Sequence, residues 1–407
     1  MNQPAVGALP DQLWDVAIVG AGPAGSAAAI LLASQGHRVL LADRERFPRD
    51  KVCGDGLTHH AIACLERLGL GEAVRAAAHE VRAVSGFSPS RVEVEAEGRF
   101  LLLKRIVLDA LLAERAAESG ATFCQGEARD VTPEADGTAA IAFAGCGRPA
   151  RARIAVLATG ANVRLARRLG MVTQPRPSAA AIRFYVRSSF PLDRMIAFYV
   201  PASLPGYAWV FPVGEGEYNV GCCALRRGRR GGRLNLRKIL EQATAEFPLA
   251  RAVLRAGEPI TPIRGAASRC GLDGVRCFVE RNVVIIGETA GTTLPLTGAG
   301  IGTAMQTGEM AASAIGAALA SGDLEELRRY PAAVEARLRP RYMAYGLAER
   351  AASVRWLNDF VARRARRGGC LHSLARSVVA GGVTSRPLSL MRRLFQALAK
   401  RRARSAR

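Results

Sequence analysis

The sequence predicts an α/β fold with a parallel-sheet domain, an antiparallel-sheet domain and a C-terminal helical region. Three observations predict it. Residues 15–43 read as strand, glycine turn, helix and strand. Residues 179–225 hold short aromatic and β-branched runs between Pro and Gly turns. The chain beyond residue 322 is helical in pattern and basic. The 407 residues are 49% hydrophobic and 23% charged, enough for two or three domains around a large core. That composition excludes disordered, collagen-like and small disulfide-rich classes.

The elements follow in order. Asp15 to Val19 is a short apolar run of the kind that forms a buried parallel strand. Gly20-Ala21-Gly22-Pro23-Ala24-Gly25 comes next, then an Ala/Leu-rich helix from Ser26 to Gln35 that Gly36 stops. His37 to Ala42 is the second strand, ending at Asp43. The glycines and Pro23 break the apolar stretch 16–33, so it reads as this βαβ unit and not as a membrane span. A helix is expected over Val107 to Glu118, with strands at Ala121 to Cys124 and Ile154 to Leu157. Ile182 to Val186, Met195 to Val200, Tyr207 to Phe211 and Tyr218 to Ala224 form the antiparallel set. Val283 to Ile286 is again a buried strand, followed by a small-residue helix over Gly300 to Ser321. The expected domains are 11–82, 104–170 and 281–322 for the first, 83–103 and 171–280 for the second, and 323–407 for the helical region.

Gly20-x-Gly22-x-x-Gly25 between a strand and a helix is a dinucleotide fingerprint. Its glycines allow the tight turn, the approach of a pyrophosphate, and close packing of helix on strand. Asp43 ends the second strand, where a carboxylate accepts ribose hydroxyl bonds. Two further segments favour FAD. Gly287-Glu288 and Gly298-Ala299-Gly300-Ile301-Gly302 follow the strand at 283–286 and open a helix, whose positive end suits a reduced flavin. Arg105-x-x-x-Asp109 heads the helix after Leu101 to Leu103, within reach of the cofactor. The first domain is therefore expected to be a Rossmann-type FAD-binding domain, and the antiparallel sheet a substrate domain.

Phe47-Pro48-Arg49-x-Lys51-x-Cys53-Gly54-Asp55-Gly56, Tyr207-x-Trp209-x-Phe211-Pro212 and the glycine series from Gly287 to Ile301 share one order and spacing. Together they resemble the geranylgeranyl reductase family of FAD-dependent oxidoreductases, within the p-hydroxybenzoate-hydroxylase-like fold. The resemblance implies reduction of isolated C=C bonds in long prenyl or similar lipophilic chains. Carried over by position, Gly20, Gly22, Ala24, Gly25, Asp43, Arg44, Cys53, Gly54, Gly56, Arg105, Ala128, Gly287, Glu288, Gly298, Gly300 and Ile301 are expected at the cofactor. Tyr207, Trp209 and Phe211 are expected to line a prenyl tunnel, and Cys53 to relay a proton. The chain departs from the family pattern at Glu288, where Asp is usual, at Ala299, where Glu is usual, and at Gly221-Cys222-Cys223, where Gly-x-Gly is usual. The rival expectation is a flavin monooxygenase or halogenase acting on an aromatic or polyketide substrate.

Lys+Arg total 57 against 35 Asp+Glu, a net charge of +22, and only Lys51, Lys104, Lys238 and Lys400 are lysines. Such charge suits an anionic partner. Twelve arginines and no acid lie between Val361 and Arg407. Leu371, Leu374 and Val378, and then Leu388, Met391, Leu394, Phe395 and Leu398, fall at helical spacing among them. This suits peripheral membrane contact through the basic C-terminus, or else a plain solvated helical tail, in preference to nucleic acid. Arg226, Arg227, Arg229, Arg230 and Arg233 form a second cluster, suited to a pyrophosphate or headgroups. The nine cysteines are scattered without a C-x-x-C pair, and Met1 to Leu13 lacks a signal-peptide pattern. The expected location is the cytoplasm, against the inner face of a membrane. With no second glycine fingerprint, the external reductant is expected to be transiently bound NAD(P)H or a reductase or ferredoxin.

Overall fold

The computed structural model describes residues 3–174, 177–225, 235–272 and 274–379, without the side chains of 375–377 and 379. The first sheet runs, in spatial order, Val279–Glu280, Val283–Ile285, Ala150–Leu157, Leu13–Val19, Val39–Asp43 and Thr122–Gln125. The last five strands pair in parallel. A hairpin of Ala128–Pro133 and Ala139–Phe143 extends it from Ala150–Leu157. Val16, Ile18, Leu40, Leu41, Val156 and Ile285 are fully or almost fully buried, which is why these strands read as unbroken apolar runs.

Helix Pro23–Ser34 packs against helix Ile301–Ser321. A Cβ on Gly308 would lie 2.4 Å from the Ala24 carbonyl oxygen and 3.2 Å from Ala27 Cβ. The small-residue composition of both helices serves this close approach.

The second sheet runs Gly257–Pro259, Ala179–Ser188, Glu217–Leu225, Tyr207–Gly214, Met195–Tyr199, His79–Phe87, Glu93–Leu102 and Gly56–Leu57. Arg264–Ser268 also joins Ala179–Ser188. All these pairings are antiparallel except that of Met195–Tyr199 with His79–Phe87. In the 79–102 hairpin His79 pairs with Leu102 and Val81 with Phe100, and the register shifts between Val81 and Ala83. One face of the sheet packs on helices Leu236–Glu246 and Pro248–Arg255, two elements not singled out in the sequence. The other face looks toward the dinucleotide loop.

Helices Arg329–Arg337, Arg339–Ala352, Arg355–Arg366 and Cys370–Val379 close the described chain. No helix among the described residues is long and apolar enough to cross a membrane. The arginine cluster at 226–233 and the apolar series at 388–398 lie outside the described residues.

Candidate active site

The glycine loop is shaped by its own backbone. Gly20 has φ +108°, and a Cβ on Gly25 would lie 1.9 Å from the Gly20 carbonyl oxygen, so no larger residue fits either place. A Cβ on Gly22 would meet nothing closer than Arg49 Nη2, at 3.9 Å, which leaves open space where a pyrophosphate would approach. Asp43 is buried and braces the loop. Its Oδ2 accepts from the Ala21 N–H (2.8 Å) and its Oδ1 from the Glu45 N–H (2.9 Å).

A cavity of about 920 Å³ starts at this loop. Gly20, Gly22, Ala24, Asp43, Arg44 and Ala128 line one part; Cys53, Gly54, Gly56 and Arg105 line the next; Glu288, Gly298, Gly300 and Ile301 lie along it too. Its size and its loop fit a dinucleotide as large as FAD. Gly25 and Gly287 stand behind the wall. Gly287, at φ +62°, would place a Cβ 2.6 Å from that of Ala24, so its role is packing.

The Cys53–Gly56 turn hangs on a buried network. Asp55 has φ +64° and is fully buried. Its Oδ2 accepts from Tyr185 Oη (2.6 Å) and Asn219 Nδ2 (2.7 Å), and its Oδ1 from the Arg105 N–H (3.3 Å). Asn219 Nδ2 also donates to the Cys53 carbonyl (2.8 Å), while its Oδ1 accepts from Trp209 Nε1 (2.9 Å). One amide thus ties the thiol turn to the aromatic sheet. Burial pushes the Asp55 carboxyl up, against the pull of these donors and of Arg183 and Arg105. Burial likewise pushes the Cys53 thiol up, and the Asp55 charge adds to it, while Arg105 and the Asp55 N–H work the other way.

Arg105 is held as a fork on Asp109, Nε to Oδ1 at 2.8 Å and Nη2 to Oδ2 at 2.7 Å. Arg49 Nη1 donates to the same carboxylate at 2.7 Å. Burial opposes charge on Asp109, yet the two arginines hold it below the usual carboxylate range. Arg49 also stands 3.9 Å from Asp43, so this corner of the cleft sets two arginines against two carboxylates.

Glu288 is one methylene longer than the family's Asp, and it finds its room beside the 268–269 backbone. Its Oε2 accepts from Lys51 Nζ (3.0 Å), and its Oε1 from Ser268 Oγ (2.7 Å) and the Arg269 N–H (3.2 Å). These partners, Lys51 first, overcome burial and hold the carboxyl below its ordinary range.

Tyr207, Trp209 and Phe211 stand on one face of their strand and line the cavity, as the period-two alternation predicts. Their rings follow one another at 5.9 and 6.1 Å. Tyr207 Oη donates to the Thr297 carbonyl at 2.6 Å, in the loop before Gly298. A Cβ on Gly221 would lie 2.3 Å from Trp209 Cζ2, so the indole needs this glycine opposite it. Cys222 faces the helix-covered core and Cys223 the cavity, on opposite sides of the sheet. All nine cysteines are free thiols.

The cavity is also lined by Val84, Val94, Ala96 and Phe100 and, from the C-terminal helices, by Ala351, Leu357, Val361 and Ala365. Leu371, Leu374 and Val378 line it too. An apolar helix face suits a protein cavity as well as a bilayer, and periodicity alone does not tell them apart. Tyr185, Asn219 and Arg183 were not singled out in the sequence, and Asp55 stood there only as part of the Cys53–Gly56 motif. A lone Asn in the apolar run 218–224 and a lone Arg in the run 182–186 were the available signals, since a buried polar side chain needs partners.

Known proteins resemble this chain in the same regions. The FAD binding domain family matches residues 14–340. A menaquinone reductase of Mycobacterium tuberculosis is 34% identical over 324 residues, 74% of this chain and 76% of that protein. Digeranylgeranylglycerophospholipid reductase 1 of Methanopyrus kandleri is 32% identical, over 78% of this chain and 84% of its own. Among solved structures, a geranylgeranyl bacteriochlorophyll reductase-like protein from Thermoplasma acidophilum superposes with a TM-score of 0.76, at 22% identity, covering 86% of this chain and 91% of that one. A flavin-dependent brominase reaches 0.78 at 20% identity, over 96% of this chain and 100% of its own, a likeness of fold. The chain belongs to the geranylgeranyl reductase family of FAD-binding oxidoreductases.

Proposed function

We propose that the protein saturates C=C bonds in a prenyl or similarly lipophilic chain. The observation that carries this reading is that one cavity is lined by the glycine loop, by Cys53 and by an apolar wall from the C-terminal helices. A polar or compact aromatic substrate has no use for such a wall. Bound FAD, once reduced, supplies the hydride. Cys53 gives the proton at Sγ: burial keeps the thiol protonated, and Arg105 and the Asp55 N–H face the charge it leaves behind. Tyr207, Trp209 and Phe211 orient the chain and keep water from the reacting carbons. The electrons come from an outside donor, NAD(P)H or a reductase or ferredoxin.

The test is mass spectrometry of prenylated quinones and prenyl lipids after incubation with the reduced holoprotein. A gain of two hydrogens per product supports the reading. A gain of one oxygen or of halogen, with no saturation, would replace it by the monooxygenase or halogenase reading. In the same assay Cys53→Ala is expected to lower turnover by about 100-fold or more, the scale of general-acid catalysis. Unchanged turnover would remove Cys53 from the chemistry.

A further inference from the structure

Helix Arg355–Arg366 has two working faces. Leu357, Val361 and Ala365 turn inward and line the cavity. Trp356, Phe360, Arg363 and Arg367 follow at i, i+4, i+7 and i+11, a single outward stripe. Trp356 is 53% exposed and Phe360 40%, whereas the chain's other tryptophans, Trp14 and Trp209, are 4% and 5% exposed. On the neighbouring helix Arg339–Ala352, Met343 is 62% exposed. The one acid of the 355–367 segment, Asp359, turns inward to Ser88 and Ser90. The outward face therefore combines large aromatics with arginines and carries no carboxylate of its own segment.

We propose that this face docks on an anionic phospholipid bilayer. Aromatic rings settle at the boundary between headgroups and acyl chains, and arginines next to them pair with lipid phosphates. Charge complementarity selects the occupant: the chain carries +22, and a second copy would bring arginine against arginine. The docking surface is then the outer side of the wall whose inner side bounds the cavity. The proposal does not depend on the reaction assigned above.

The experiment uses the full-length holoprotein with phosphatidylcholine vesicles, with and without phosphatidylglycerol, including brominated acyl chains. Trp356 is the exposed tryptophan, so its emission reports the contact. Phosphatidylglycerol vesicles are expected to shift emission to the blue, the brominated chains to quench it, and added salt to weaken both. The double variant Trp356→Ser, Phe360→Ser is expected to bind these vesicles roughly tenfold more weakly, with the spectrum of bound flavin unchanged. Arg363→Ser with Arg367→Ser is expected to lose the preference for phosphatidylglycerol. Absence of quenching in the wild type overturns the proposal. So does a double variant that sediments with vesicles like the wild type, which would locate docking elsewhere. A double variant that turns a dimer into a monomer without any change in vesicle binding would assign the face to a second copy instead. Docking without alkene reduction would leave this inference standing and remove the functional reading; the reverse result would do the opposite.

Discussion

Asn219 shows how much one side chain can join. It fixes the indole of Trp209, the carbonyl of Cys53 and the carboxylate of Asp55 at once. Asn219→Leu leaves the Trp209 N–H and the Cys53 carbonyl unpaired in a buried place, at a cost of about 1–3 kcal/mol in denaturant unfolding. Turnover is expected to fall roughly tenfold or more, as misplacement of a reacting group does, while flavin absorbance persists. Losing a donor also lets the Asp55 carboxyl rise further; unchanged turnover in a folded Asn219→Leu protein would make Asn219 a packing residue only. Gly221 makes a second, purely steric point. Gly221→Ala places a methyl 2.3 Å from Trp209 Cζ2 and 2.5 Å from the Ile182 carbonyl oxygen. Overpacking of this kind costs about 1–3 kcal/mol, read as a lower denaturant midpoint, and should raise KM for the lipophilic chain by displacing the indole. At this scale the sequence announced the glycines, the thiol and the aromatic triplet through their spacing. Asp55, Tyr185 and Asn219 come together from three segments far apart in the chain, and no local pattern records that meeting.

The elements were legible wherever one period dominated. Leu13–Val19, Val39–Asp43 and Ile301–Ser321 coincide closely with the expected strand, strand and helix. Helices Leu236–Glu246 and Pro248–Arg255 did not stand out, because amphipathic segments of that length carry fewer than four turns of signal. Helix Arg355–Arg366 is attached at one point that sequence could not supply. Asp359 Oδ1 accepts from Ser88 Oγ (2.7 Å) and the Ser90 N–H (2.8 Å), and Oδ2 from Ser90 Oγ (2.7 Å), at the tip of the 79–102 hairpin. Burial raises the Asp359 carboxyl, but these donors and Arg363 prevail and hold it below its ordinary value. Its contribution to stability is therefore present above the unfolded value of about 3.9 and is lost as pH falls through the lower folded value. Asp359→Ala is expected to cost about 2 kcal/mol at neutral pH and to flatten the acid limb of the stability curve, which thermal unfolding across pH would show. Faster proteolysis at the 367–370 segment should accompany it.

At the scale of the whole molecule, the cavity belongs to no single element. The parallel-sheet domain supplies the loop at Gly20 and the helix start at Ile301, the second sheet supplies the aromatic wall, and the C-terminal helices supply a further wall. Its length should set which chains are accepted. Ala351→Phe, in the wall given by the C-terminal helices, is expected to raise KM for a long prenyl chain several-fold and to leave a chain of one or two isoprene units nearly untouched, since an overfilled pocket rejects only what reaches it; equal effects on both would place the chain elsewhere. The sequence by itself determined that a dinucleotide loop exists, that FAD is its cofactor, that a thiol turn and an aromatic strand follow, and that the fold is α/β. Those are local matters: glycine torsions, strand and helix periods, and motif spacing act over a few residues. Only the tertiary structure decided that Asn219 ties the thiol turn to Trp209, that Glu288 is tied down by Lys51 and Ser268, and that Leu371, Leu374 and Val378 bound a cavity. Burial and contact across hundreds of residues are properties of the packed chain, and an apolar face carries the same pattern whatever comes to cover it.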